Sequence, residues 1–204
     1  MKINKKKFIY LISPNKIPNS FYNNLNLVLK TGKVSFFQLR LKSYSIYKKI
    51  IIGKKIKNIC KKNKVKFIIN DDPLLALKLN ADGCHLGQKD MDIKIARKIL
   101  GKKIIGITCH NSINLAKKAI KAKADYIAFG AFNQSKTKKT KHVASVKILN
   151  EFKKYSKTPT VAIGGINVFN YKNLLLNNAN FLAISGYIWN NKKYKPLQAI
   201  ERLK

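Results

Sequence analysis

Short apolar runs recur eight times along the chain, and stretches with helical spacing separate them. The runs extend from Phe8 to Ser13, Val34 to Lys42, Val65 to Asp71, Asp82 to Gly87, Lys103 to His110, Asp125 to Phe132, Thr160 to Ile166 and Phe181 to Ile188. Between them, Tyr44 to Lys62 carries an apolar stripe of Ile46, Ile50, Ile51, Ile56 and Ile59, and Asn111 to Lys121 carries Ile113, Ala116, Ala119 and Ile120. Asn111 and Asn167 stand where helix N-caps are expected. A strand followed by a crossover helix requires a parallel neighbour, and eight such units are the number that closes on itself. The pattern therefore predicts a single-domain (β/α)8 TIM barrel over residues 1–204, of near-minimal length because that fold needs about 200 residues. An open doubly wound sheet competes with it, but the GxGxxG fingerprint expected after a first strand is missing, and SPNKIPN follows instead.

Charge narrows the partners. Lys and Arg number 43 against eight acidic residues, for a net charge of +35, and a basic surface of that size invites nucleic acid. The lysines, however, are spread along nearly the whole chain with equally diffuse Asn and Ile, and no zinc-finger, RNP-like or helix-turn-helix pattern supplies a docking geometry. The expected partners are small-molecule substrates and no specific nucleic acid; a homo-oligomer is compatible with the sequence. No apolar run reaches the 18 residues of a membrane span, and the six-residue run in MKINKKKFIYLISPN lacks a signal-peptide layout. The cytoplasm is the expected compartment. Cys60, Cys84 and Cys109 are odd in number and form no CxxC, so they read as buried thiols and not as a disulfide or zinc framework.

Barrel enzymes build their sites at the carboxyl ends of the strands. Alternation in the second run puts Val34, Phe36, Gln38, Arg40 and Lys42 on the lumen face and Phe37, Leu39 and Leu41 against the helices. The lumen face thus turns from apolar to cationic as it nears the mouth, as an anion site requires. Five of the eight acidic residues, Asp71, Asp72, Asp82, Asp90 and Asp92, fall in the one stretch that runs from the end of the third run to just past the fourth. Asp72, before Pro73, and Asp92 are read as helix caps. Asp71 and Asp90 are the expected ligands of one Mg2+, since neighbouring strands are about 5 Å apart and this ion takes one or two carboxylates with phosphate oxygens and water. Gly164-Gly165 and Ile184-Ser185-Gly186 end the last two runs, where this fold recurrently binds phosphate. Asn133 to His142 is polar and cationic, the composition of an active-site loop. His85 and His110 are each read as catalytic or as hydrogen-bonded rim residues.

These motifs, in this order, resemble the thiamine phosphate synthase family from Tyr10 to about Ile188. The match rests on QLRLK (Gln38 to Lys42), IIND (Ile68 to Asp71), ADGCHLGQKDM (Ala81 to Met91), IIGITCH (Ile104 to His110), ADYIAFGAF followed by SKTK (Ser135 to Lys138), VAIGGI and AISG. The resemblance implies an enzyme that joins hydroxymethylpyrimidine pyrophosphate to thiazole phosphate or its carboxylate, releasing thiamine phosphate and pyrophosphate. It implies that Gln38 contacts the pyrimidine, that Arg40, Lys42, Asn70 and Lys138 hold the pyrophosphate, and that Asp71 and Asp90 bind Mg2+. It sets Thr108 near the reacting centre, Ser135 and Thr137 beside the thiazole, and Gly165, Ile184 and Ser185 on the thiazole's phosphate. Asn133-Gln134, Ala131 and Asp72 depart from the family's commoner Phe-Pro, Pro and Arg. A thiazole tautomerase-like protein of the same superfamily, acting through a histidine such as His110, is the nearer rival. A non-enzymatic RNA-binding protein is the more distant one.

Overall fold

The computed structural model describes residues 7–133 and 143–204. Eight parallel strands close into a barrel in chain order, each hydrogen-bonded to the next and the last to the first. They are β1 (Ile9–Ile12), β2 (Val34–Leu39), β3 (Lys66–Asn70), β4 (Gly83–Leu86), β5 (Ile104–Thr108), β6 (Tyr126–Gly130), β7 (Thr160–Ile163) and β8 (Phe181–Ile184). The helices between them are α1 (Phe21–Lys30), α2 (Ile46–Lys62), α3 (Pro73–Lys78), α4 (Ile93–Leu100), α5 (Ile113–Lys121), α6 (Lys147–Tyr155) and α7 (Tyr171–Leu176), with α8 (Gly186–Trp189) and α9 (Pro196–Glu201) closing the chain. The (β/α)8 barrel expected from the eight runs is the observed fold. The final run is shorter than expected, because β8 ends at Ile184 and Gly186–Trp189 coils into a short helix.

Alternation divides the strand residues into two apolar layers. Tyr10, Phe36, Ile68, Tyr126, Ala128, Val161, Phe181 and Ala183 fill the lumen, with the rings of Tyr10 and Phe36 5.3 Å apart and Phe36 edge-on to Phe181 at 5.1 Å. Ile9, Leu11, Phe37, Leu39, Phe67, Ile69 and Leu182 face outward into the larger core beneath the helices. Val34 was expected in the lumen and lies in that outer core instead. The pairing slips by one residue between Ile9–Val34 and Tyr10–Phe36, so Ser35 is an extra residue that reverses the alternation behind it.

Two further expectations are corrected at helix ends. Ser112, not Asn111, caps α5 by accepting from the Leu115 N–H, and α7 starts behind Asn170, not Asn167. Asn167 accepts instead from the Phe169 N–H in the preceding turn. The buried stripe of α2 is Gly53, Ile56 and Cys60, while Ile46 and Ile51 are exposed. Counting large apolar residues misses this face because its contact is made by small ones: a Cβ at Gly53 would lie 2.6 Å from Leu79 Cδ1. Asp72 and Asp92 do cap α3 and α4, accepting from the Leu75 and Lys94 N–H groups at 2.9 and 2.8 Å. All three cysteines are free and buried, and burial pushes their thiols up, that of Cys109 to about 12. Among the described residues no helix is long and apolar enough to cross a membrane.

Candidate active site

Asp71 follows the last residue of β3. Its N–H donates to the His85 carbonyl at 2.8 Å, prolonging the β3–β4 ladder by one residue, and its φ of 66° then turns the chain sharply toward Asp72 and α3. A non-glycine residue in that left-handed region costs about 1 kcal/mol, a kind of strain that concentrates at functional sites. Asp90 reaches the same place from the β4 side. The turn that starts at Gly87 holds it in both directions, with Gly87 N–H donating to Asp90 Oδ2 at 2.6 Å and Asp90 N–H to the Gly87 carbonyl at 3.3 Å.

The two carboxyl groups meet. Burial raises the Asp71 carboxyl above the usual range, and the neighbouring Asp90 carboxylate, a like charge and a hydrogen-bond partner, raises it further. Lys42, its Nζ 3.5 Å from Asp71 Oδ2, acts in the opposite direction. Lys42, Lys49, Asn70, Asp71 and Asp72 rim a cleft of about 320 Å3 whose floor is Leu39, Leu41, Ile69 and Leu75. A carboxylate pair held together against its own repulsion could hold a divalent cation, and hard oxygen donors of this kind suit Mg2+. Among the described residues no three His, Cys, Asp or Glu side chains gather as a ready-made cage, so phosphate oxygens and water would have to complete the shell.

Arg40 and Lys42 leave the mouth by different routes. β2 ends at Leu39, so the alternation that would align them stops short. Arg40 points to the β1 side, its Nη1 3.5 Å from Asn15 Oδ1 and its backbone N–H donating to Ser13 Oγ at 2.9 Å. Lys42 points to Asp71, with a side chain 61% exposed. The cations thus flank the mouth and do not share the cleft.

Inside the mouth the polar residues are joined. Gln38, only 2% exposed, donates from Nε2 to the Tyr10 hydroxyl. Tyr10 and Tyr126 share a hydrogen bond of 2.8 Å, Tyr126 meets His85 Nδ1 at 2.8 Å, and His85 Nε2 meets Thr108 Oγ1 at 2.9 Å. Gln88 Nε2 donates to the Thr108 carbonyl at 2.6 Å. Loss of solvation holds the His85 imidazole down at about 4, with the Asp90 charge opposing, so the ring is neutral at neutral pH. His85 is therefore a hydrogen-bonded lumen residue. His110, just beyond β5, has a φ of 52° and accepts from the Gly130 N–H through its carbonyl.

On the opposite side of the mouth, Gly164 and Gly165 have φ of 98° and 59°. A Cβ at Gly164 would strike Ala131, so the turn after β7 requires glycine. The Gly165 carbonyl accepts from Asn170 Nδ2 at 3.0 Å and Asn167 Nδ2 at 3.3 Å. Ser185 donates from Oγ to the Ser13 carbonyl at 3.2 Å. The Ile184 side chain is buried in the outer core, so only its backbone faces the site. Ser135, Thr137 and Lys138, with the rest of 134–142, lie outside the described residues.

Tyr10 and Tyr126 were missed as site residues by sequence reasoning, because a tyrosine in an apolar strand reads as core. The signal was Gly106 inside β5. A Cβ there would run into the Tyr126 ring, and glycine within a strand often marks such a close approach.

A thiamine monophosphate synthase family profile matches residues 9–188. The chain is 70% identical to a thiamine-phosphate synthase of Pelagibacter ubique across 100% of both proteins. It is 39% identical to one of Erythrobacter litoralis over 94% of this chain and 92% of that protein. In three dimensions it resembles a thiamine phosphate pyrophosphorylase from Pyrococcus furiosus with a TM-score of 0.85 and 27% identity, covering 97% of this chain and 94% of the other.

Proposed function

Because the chain belongs to the thiamine monophosphate synthase family, it is a transferase of thiamine biosynthesis that forms thiamine phosphate, and we propose how its barrel mouth does so. Hydroxymethylpyrimidine pyrophosphate loses pyrophosphate first, because the electron-rich ring stabilises the exocyclic carbon as it becomes cationic. The thiazole nitrogen of thiazole phosphate, or of its carboxylate, then attacks that carbon. Such a reaction needs positioned substrates and neutralised leaving charge more than a protein nucleophile.

Asp71 and Asp90 would hold Mg2+, which when bound supplies positive charge to the departing oxygens. Lys42, Arg40, Asn70 and Lys138 bind and orient the pyrophosphate. Gln38 holds the pyrimidine, and Thr108 lies near the reacting carbon. Ser135 and Thr137 orient the thiazole, while the backbone around Gly165, Ile184 and Ser185 takes its phosphate. A neutral His85 suits this chemistry, since an imidazolium below the cationic ring would oppose its formation. The chain is assigned to the cytoplasm, where its phosphorylated substrates would be retained.

The observation that carries this reading is the Asp71–Asp90 pair bordered by Lys42, two converging acidic side chains in a chain of net charge +35. The test is to incubate the purified protein with both substrates, with and without Mg2+. Thiamine phosphate and pyrophosphate should form in equal amounts and only with the metal. Thiazole isomerisation without condensation would favour the tautomerase, and salt-sensitive RNA binding without turnover would favour a nucleic-acid protein.

A further inference from the structure

Among the described residues the polar side chains of the upper lumen form one unbranched series of hydrogen bonds, from Gln38 through Tyr10, Tyr126 and His85 to Thr108. Five strands contribute one residue each: β2, β1, β6, β4 and β5. The rings are seated for it. Tyr126 lies nearly parallel to His85, 16° between planes at 5.6 Å, and Gly106 leaves the space its ring occupies.

A series of this kind has a direction, because a tyrosine hydroxyl owns one proton and a neutral imidazole has one N–H and one bare nitrogen. The Gln38 amide N–H donates into the Tyr10 oxygen. Among the described residues the other neighbour of that hydroxyl is Tyr126, so the Tyr10 proton goes there. Tyr126, already accepting, places its proton on His85 Nδ1. The imidazole proton is then on Nε2 and donates to Thr108 Oγ1. With the Gln38 N–H on Tyr10, the opposite direction would leave Tyr10, 2% exposed, with two donors aimed at its oxygen and a buried proton without an acceptor, an arrangement folded proteins avoid.

We propose that Gln38, acting through Tyr10 and Tyr126, fixes His85 as its Nε2–H tautomer, and that this turns the Thr108 hydroxyl proton and the Gln38 carbonyl toward the barrel mouth. The mouth then presents one donor and one acceptor, fixed from below. That pair is complementary to a heteroaromatic ring bearing an exocyclic amine and a bare ring nitrogen, the chemistry of an aminopyrimidine. Tyr10, Tyr126 and His85 are positioning residues, since they act on substrate only through Gln38 and Thr108. The inference rests on the reaction proposed above.

The full-length protein labelled with 15N in histidine reports the tautomer directly, with the His85 signals assigned by their loss in His85→Gln. At pH 8 without substrates, Nε2 should carry the proton and Nδ1 should be bare. Gln38→Glu should invert this from three residues away. The introduced carboxylate only accepts, so Tyr10 donates to it, Tyr126 to Tyr10, and His85 from Nδ1 to Tyr126. Tyr126→Phe should give mixed tautomers and raise KM for the pyrimidine substrate about tenfold, the loss of roughly one hydrogen bond, with KM for the thiazole unchanged. Wild-type His85 protonated at Nδ1, or a tautomer indifferent to Gln38→Glu, would overturn the proposal, and both measurements stand even if Tyr126→Phe does not fold. Expected tautomers with no thiamine phosphate formed would refute the reaction and not the series; normal condensation with the wrong tautomer would do the reverse.

Discussion

Asp71 combines a left-handed backbone, a like-charged neighbour and a lysine partner in one residue. A neutral amide relieves the repulsion but offers the proposed Mg2+ only a weak, uncharged oxygen, so Asp71→Asn should keep the fold and lower kcat about 100-fold or more. A melting temperature no lower than that of the wild type with lost turnover, measured by calorimetry and pyrophosphate release, is the expected pair of results. His85 makes a prediction of a different kind. Its folded value of about 4 lies below the unfolded 6.5, so the unfolded chain binds the proton first. Stability is therefore complete above pH 6.5 and is lost as pH falls toward 4, by up to about 3 kcal/mol. Asp71, shifted upward, changes stability in the opposite sense. Urea unfolding of wild type and His85→Gln at pH 7 and pH 5 isolates the histidine: only the wild type should show this part of the acid sensitivity.

At the level of elements, the foot of the barrel carries a device repeated three times. Asp82, Asp125 and Asn180 precede β4, β6 and β8, and each accepts through its side chain from the first or second N–H of the preceding strand, at Phe67, Ile105 and Thr160. Their own N–H groups donate to the carbonyls of those same residues. Each follows an alanine and a left-handed Asn80, Lys123 or Asn178 that ends a helix, with the alanine N–H reaching back five residues as in a Schellman turn. The recurrence of Ala-Asp or Ala-Asn before alternate strands is a signal the sequence itself carries; Asp82, close in sequence to Asp71 and Asp90, lies at the opposite end of the barrel from them. Asp125 also binds Arg97 at 2.6 Å. Asp125→Ala should lower the unfolding free energy by about 1–3 kcal/mol through the unpaired Ile105 N–H and leave both KM values in place. A change in kcat without a change in denaturation midpoint would contradict a purely architectural role.

For the whole molecule, 43 cationic side chains against eight acidic ones make the folded state repel itself. Raising salt from about 0.01 to about 0.15 M shortens the screening length from about 30 to about 8 Å, and the melting temperature should rise by several degrees. A melting temperature that falls or stays level over that range would show the surface charge to be locally compensated. The sequence by itself determined the barrel and the order of its strands, because period-two and helical patterning record which face each residue buries. It also determined the caps at Asp72 and Asp92 and the pairing of Asp71 with Asp90, since local hydrogen bonding and adjacency of strands follow from chain order. The tertiary structure alone decided that Val34 faces outward, that Arg40 and Lys42 diverge, and that Tyr10, Tyr126 and His85 join Gln38 to Thr108. Those outcomes depend on a one-residue slip in register, on where a strand ends, and on which rings fit across a closed lumen, and each is set by residues far apart in the chain.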